Sequence, residues 1–168
     1  MGRGPKVSSC LSHSLSACSF STPGCGALAA ALRDNRSLQV LDVGENEIGD
    51  GGMEVLSQAL ASGTCTLTTL GLQKCQLTAA SSEHLSHLLR SSRSLVSLNL
   101  LGNDLQLQGV SMLWKAVKSS QCPLRLLGLD RHLLLEVEKE LKALQSRGSA
   151  LKIQCWWDSS DPEARWCW

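Results

Sequence analysis

The stretch Leu38-Gln39-Val40-Leu41-Asp42-Val43-Gly44-Glu45-Asn46-Glu47-Ile48 sets aliphatic residues at 38, 41, 43 and 48 and an amide at 46. The arrangement returns 29 residues later as Leu67, Leu70, Leu72, Cys75 and Leu77, and 28 after that as Leu95, Leu98, Leu100, Asn103 and Leu105. A weaker copy begins at Leu124, Leu127 and Leu129 with His132 at its polar position; 28 residues before Leu38, a degraded one reads Cys10, His13, Leu15, Cys18 and Phe20. A fixed period of this length marks one supersecondary unit repeated along an axis.

Each copy has a second half at a constant offset. Leu28, Leu56, Leu85 and Leu113 stand 18 residues after the frame starts, and four residues further come Leu32, Leu60, Leu89 and Val117. Apolar pairs at i and i+4 lie on one helix face, so each unit reads as a short strand followed by an amphipathic helix. Thr22-Pro23, Asp50 and Thr78 occupy helix-start positions and read as N-caps. A single unit cannot bury its own apolar face. Stacking strands at about 4.8 Å makes one continuous core, and the greater width of the helices bends the stack. The expected architecture is α/β: a short horseshoe arc with a parallel sheet on the concave side and helices on the convex side.

Cys18, Asn46, Cys75 and Asn103 alternate at one frame position, where the chain turns from strand to helix. Asn can serve buried backbone groups as donor and acceptor, and Cys is a small, buriable substitute. These four form the expected structural ladder. Cys65 and Cys122 are also two units apart, so repeat position accounts for four of the eight Cys. Rungs two apart are about 10 Å apart, beyond disulfide reach, so reduced thiols are expected.

The 168 residues carry a net charge of +1, 43% are hydrophobic and 32 are Leu. That composition excludes a disordered polyelectrolyte, and the charge balance supplies no argument for nucleic acid or an anionic membrane as partner. The first twenty residues hold no secretory apolar run, and no stretch approaches a membrane span, so a cytoplasmic location is expected.

No reactive constellation emerges. There is no P-loop, G-x-S-x-G, C-x-x-C or H-E-x-x-H. Gly49, Gly51 and Gly52 belong to a strand-to-helix turn, Cys10 and His13 lack a second ligand pair, and His84 and His87 read as solvent-facing helix residues. The chain is therefore read as a non-enzyme without catalytic, cofactor or metal-binding residues.

The surface expected to bind protein is the set of strand residues between the core positions. One column is Val40, Thr69, Ser97 and Leu126; the next is Asp42, Gly71, Asn99 and Gly128; the third is Gly44, Gln73, Leu101 and Asp130. With no Trp, Tyr or Arg among the twelve, a weak or shared interface is expected. Glu45 and Glu47 extend it as part of an acidic run, Asp42 to Glu54, that reads either as a contact for a basic partner or as a solvated rim. Residues 1–9 read as an irregular N-terminal segment and 10–155 as about five units plus a terminal strand. Residues 156–168 read as a Trp-rich tail, with Trp156 or Trp157 covering the open core end or anchoring an interface. The missing N-terminal cap leaves a strand edge through which the chain is expected to self-associate.

The alternation of 28- and 29-residue steps with Asn-type and Cys-type copies resembles ribonuclease-inhibitor-type leucine-rich repeats. Residues 41–52 and Cys75-Gln76-Leu77-Thr78 are most similar to the C-terminal repeats of the pyrin-containing NOD-like receptors. The ending resembles theirs too: a strand in Leu124 to Leu129, an acidic helix in Glu136 to Leu144 and a last strand in Leu151 to Ile153. The resemblance implies a leucine-rich-repeat module contributing ligand contact or autoinhibition in innate immune and inflammasome signalling, with some family members serving oocytes and embryos. Its partner would be another protein or the remainder of a receptor. A stoichiometric inhibitor of ribonuclease is the alternative, although the arc is short for it.

Overall fold

The computed structural model describes residues 12–33, 35–61, 65–119 and 121–155, which alternate strand and helix from one end to the other. The order is β1 (Ser12–Ser14), α1 (Thr22–Arg33), β2 (Val40–Asp42), α2 (Gly49–Leu60), β3 (Thr69–Gly71), α3 (Ser81–Ser91), β4 (Ser97–Asn99), α4 (Gln106–Val117), β5 (Leu126–Gly128), α5 (Arg131–Ser146) and β6 (Lys152–Gln154). Cys10, the segment 1–9 and the tail 156–168 lie outside the described residues.

All six strands form one parallel sheet in sequence order. Leu41, Leu70, Leu98, Leu127 and Ile153 are direct partners across β2 to β6 and point into the core. Val43, Leu72, Leu100 and Leu129 form the adjoining buried row, and Leu32, Leu60, Leu89 and Val117 meet it from the helices. Each aliphatic residue thus packs on its equivalents in the units above and below, which is why no unit is stable alone.

The units differ in pairs. At the turn out of each strand, Ala17, Glu45, Lys74 and Gly102 all have positive φ, near 50–70°. Beyond it, Cys-type units take a second left-handed residue at Ser19 and Gln76, whereas Asn-type units take theirs at Gly49 and Gln106. The helices follow the same two-unit period: a Cβ on Gly52 would stand 2.7 Å from Cys25 Sγ, and one on Gly109 would stand 2.4 Å from Ser82 Oγ. Both glycines let an Asn-type helix close onto the preceding Cys-type helix.

The helix starts correct the expected caps. α2 begins at Gly49 with Ile48 before it and no side-chain cap; Asp50 sits inside the first turn. Its carboxylate instead accepts from Thr78 N at 2.9 Å, Thr78 Oγ1 at 2.6 Å and Ser81 Oγ, all in the next unit. Thr22 is the first residue of α1, and its hydroxyl donates 2.8 Å to Ile48 O of the following unit. Thr78 is two residues before α3's flanking Ala80, whose N–H it accepts at 3.2 Å. Polar residues that local propensity reserves for their own helix are recruited across the stack. The last helix is also longer than expected, running from Arg131 to Ser146, with Asp130 flanking its start without a side-chain cap.

Candidate protein-interaction face

Parallel pairing aligns Val40 with Thr69, Ser97, Leu126 and Lys152, and Asp42 with Gly71, Asn99, Gly128 and Gln154. The columns therefore stand side by side, with Gly44, Gln73, Leu101 and Asp130 just beyond the strand ends. Their exposure is uneven. Val40, Leu101, Leu126 and Asp130 are partly exposed, whereas Asp42, Gln73 and Asn99 are 2%, 6% and 1% exposed.

Those three buried groups are joined to one another. Gln73 Nε2 donates to Asp42 Oδ1 at 3.0 Å, Asn99 Nδ2 donates to Gln73 Oε1 at 3.2 Å, and Leu101 N donates to Asn99 Oδ1 at 3.1 Å. Gly44 N also donates to Asp42 Oδ1 at 2.9 Å, while Asp42 Oδ2 has no hydrogen-bond partner among the described residues. Burial pushes the Asp42 carboxyl above its ordinary range, against the pull of the Gly44 and Gln73 hydrogen bonds. Gly71 makes the chain of contacts sterically feasible, because a Cβ there would approach Asp42 Oδ1 to 2.6 Å.

Behind the face, the frame position 18, 46, 75, 103 holds the turns. Asn46 Oδ1 accepts from Cys18 N and Phe20 N at 3.0 and 2.9 Å, and its Nδ2 donates to Leu15 O and Val43 O, both at 2.8 Å. Asn103 does the same for Cys75 N, Leu77 N, Leu72 O and Leu100 O. Each Asn serves its own turn and that of the preceding Cys-type unit. Cys75 Sγ reaches back to Val43 O at 3.3 Å; Cys18 is exposed at the end of the sheet. The six described cysteines are free, and burial pushes the Cys75 thiol up to about 12.

Glu45 and Glu47 are exposed on the strand-to-helix edge, and Glu45 meets Lys74 at 3.3 Å, so part of the acidic run is neutralised there. Asp104 and Asp130 share that edge. The opposite, helix-to-strand edge carries Arg36, Arg93, Arg125, Arg147 and Lys152, all exposed, without an Asp or Glu among the described residues of those connections. Arg33, Arg90 and Lys115 add positive charge in the last turns of their helices, where they complement the helix dipole. The near-zero net charge thus conceals a separation by edge.

Two depressions lie on the sheet. One of about 310 Å³ is bordered by Glu45, Gln73, Lys74, Asn99, Leu101 and Asp130 at the strand ends. The other, about 460 Å³, lies at the strand starts between Thr69, Val96, Ser97, Arg125, Leu126 and Lys152. Val96, Arg125 and Lys152 are absent from the set chosen from sequence. Val96 and Arg125 precede the strand residues used to define the columns, and Lys152 belongs to a terminal strand outside the aligned frame. The β5–β6 register is the signal that brings Lys152 beside Leu126.

No group of three or more His, Cys, Asp and Glu that could hold a metal occurs among the described residues. No helix among them is long and apolar enough to cross a membrane.

A parallel sheet in sequence order, helices on its other side and an Asn ladder at the turns together define a leucine-rich-repeat solenoid. The family model described as Leucine Rich repeat matches residues 34–57 and 91–113. The chain is 52% identical over 117 residues to the human NACHT, LRR and PYD domains-containing protein 13, a match covering 70% of this chain and 11% of that protein. It is 30% identical over 155 residues to the mouse NACHT, LRR and PYD domains-containing protein 14, covering 86% of this chain and 16% of that one. Pig ribonuclease inhibitor is 38% identical over 117 residues, covering 70% and 26%. The matches thus span only 11 to 26% of these relatives' length. Leiomodin-1 Actin-Binding Site 2 has the same fold, with a TM-score of 0.62 at 15% identity over 83% of this chain and 88% of that one. The chain is a leucine-rich-repeat domain related to the NACHT, LRR and PYD domains-containing proteins, a class of NOD-like receptors, and to ribonuclease inhibitor.

Proposed function

We propose that this chain is a non-catalytic protein-interaction module of a cytoplasmic NOD-like receptor, contributing ligand contact or autoinhibition in innate immune and inflammasome signalling. The observation that carries the reading is the concave sheet itself. Its buried polar groups are tied to one another through Asp42, Gln73 and Asn99, with Leu101 N bonded to Asn99, beside the partly exposed side chains of Val40, Leu101, Leu126 and Asp130. A surface ordered before contact loses little conformational entropy on binding. Thr69 and Ser97 line it, and Glu45 and Glu47 form its acidic border.

Co-purification of the tagged chain with a full-length NACHT, LRR and PYD domains-containing protein tests the proposal. Capture that is abolished by Leu101→Arg, with circular dichroism unchanged, is the expected result. Capture unaffected by that change, or none at all, overturns it. The similarity to ribonuclease inhibitor supports a second reading as a stoichiometric inhibitor. Tight capture of a pancreatic-type ribonuclease by the isolated chain would favour that one.

A further inference from the structure

We infer that the groove between α4 and α5 takes one aliphatic side chain of a protein partner, whose backbone carbonyl accepts a hydrogen bond from Trp114 Nε1. The groove lies on the helical side of the stack, so its occupancy is independent of the contact proposed for Leu101. It arises from an irregularity in the repeat. α1 to α4 start seven to ten residues after the strands that precede them, whereas α5 starts three residues after β5. Having left its strand early, α5 packs on α4 more sparsely than the other helices pack on their neighbours, and of its described residues only Leu133 and Val137 are buried.

The sequence of α4 matches the space this leaves. Trp114 stands at the position held by Ala29, Ser57 and Ser86 in the earlier units, and Leu107 at the position of Asp50, whose carboxylate is bonded to the following unit. Trp114 is 3% exposed and Leu107 49%. With Val110 and Val137 they line a groove of about 200 Å³, bordered by Lys118 and Glu140. That is below the roughly 300–1,000 Å³ of most small-molecule sites and suits a single side chain.

The groove also holds an unanswered donor. Trp114 Nε1 is buried without a hydrogen-bond partner among the described residues. An unpaired buried N–H costs free energy, so an acceptor delivered to it is stabilising. The neighbouring Glu140 carboxylate marks where the N–H faces: Lys118 binds its Oε2 at 2.7 Å and draws the carboxyl below its ordinary value, with Trp114 a smaller influence in the same direction. Both side chains of that bridge are about half exposed, so it is a weak cover that a carbonyl can displace. Burial of an aliphatic group against Leu107, Val110 and Val137 offsets the opening of the bridge. A carboxylate ligand would meet the charge of Glu140 at the same place, which favours a neutral acceptor.

The test is nitrogen–proton correlation NMR of the indole groups in the whole chain, with the Trp114 signal identified by its loss in Trp114→Phe. N-acetyl-leucine N-methylamide is the probe, and its glycine analogue the comparison. The leucine probe is expected to move the Trp114 indole signal saturably with a Kd of about millimolar, leaving the other four indoles in place. The glycine analogue should bind about tenfold or more weakly. Leu107→Asp should weaken the leucine probe by about threefold or more with circular dichroism unchanged, and Glu140→Ala should strengthen it. No movement at tens of millimolar, an equal response to both probes, or unchanged binding in Leu107→Asp would overturn the inference. A Trp114 signal that moves with protein concentration alone would assign the groove to a second copy of the chain and overturn it as well.

Discussion

Gln73 Nε2 donates to Asp42 Oδ1 over 3.0 Å, joining neighbouring rungs of the sheet across 31 residues of chain. The pair is buried, yet only one Asp42 oxygen is engaged. A carboxylate placed like this prefers to be neutral, and its folded pKa rises.

Asp42 therefore contributes stability that is full below its unfolded pKa and lost as pH rises through the raised folded value. Asp42→Asn retains an acceptor for Gln73 and removes the buried charge. The variant should be more stable than the native chain by about 1 kcal/mol at neutral pH, with the advantage vanishing in acid. Urea denaturation of both proteins across pH measures this. A destabilised variant at neutral pH would show that the ionised form is the one the fold requires.

Asp50 has the opposite sign. Burial raises its pKa, but hydrogen bonds from Ser81 and Thr78 outweigh that and bring it below the ordinary value. Its contribution is present above the unfolded pKa and lost as pH falls through the folded one. Asp50→Asn should cost about 1 kcal/mol at neutral pH, kept modest by solvent screening. The cost should disappear in strong acid, and Ser81→Ala should lower the stability in the same pH range.

Asn103 is expected to be among the least replaceable polar residues. Asn103→Leu would orphan the N–H groups of Cys75 and Leu77 and two carbonyls, costing about 3–5 kcal/mol. A midpoint in urea close to that of the native chain would refute the ladder's energetic role.

Gly52 sets how closely α2 approaches α1. Gly52→Ala gains helix propensity but drives a methyl into Cys25 Sγ, for a net cost of about 1–2 kcal/mol. Cys25→Ala should recover part of that cost in a double-mutant cycle, leaving the share due to Ile48. Additive effects would place the conflict at Ile48 instead, since it stands equally close.

Thiol accessibility should divide the cysteines. In a chain with Cys10 and Cys167 replaced by Ser, Cys18 should react promptly with a disulfide reagent, while Cys75, buried and with its pKa near 12, should react only on unfolding. Mass spectrometry of labelled peptides over time distinguishes them.

The strand and helix positions were legible because the relevant signal is local. Leu41, Leu70 and Leu98 recur at nearly constant intervals, and the i, i+4 pairs such as Leu56 and Leu60 announce the helices that follow. Asp50 and Thr22 depart from the caps their residue types suggest for a related reason. Their types fit a cap within their own unit, but donors and acceptors from the adjacent unit compete for the same side chains, and only stacking brings those within reach.

The amino-acid sequence alone determined that this is a repeating stack of strands and helices, because burying the leucines of one unit requires another like it. It also identified the columns that line the concave sheet, through simple alternation along each strand. Tertiary structure decided which of those residues remain available, since Asp42, Gln73 and Asn99 consume one another's polar atoms across rungs. It likewise sorted the charges to opposite edges. Net charge is a sum over residues, whereas a field at a surface depends on where they are placed, and parallel stacking is what put Arg36, Arg93, Arg125 and Lys152 on one side.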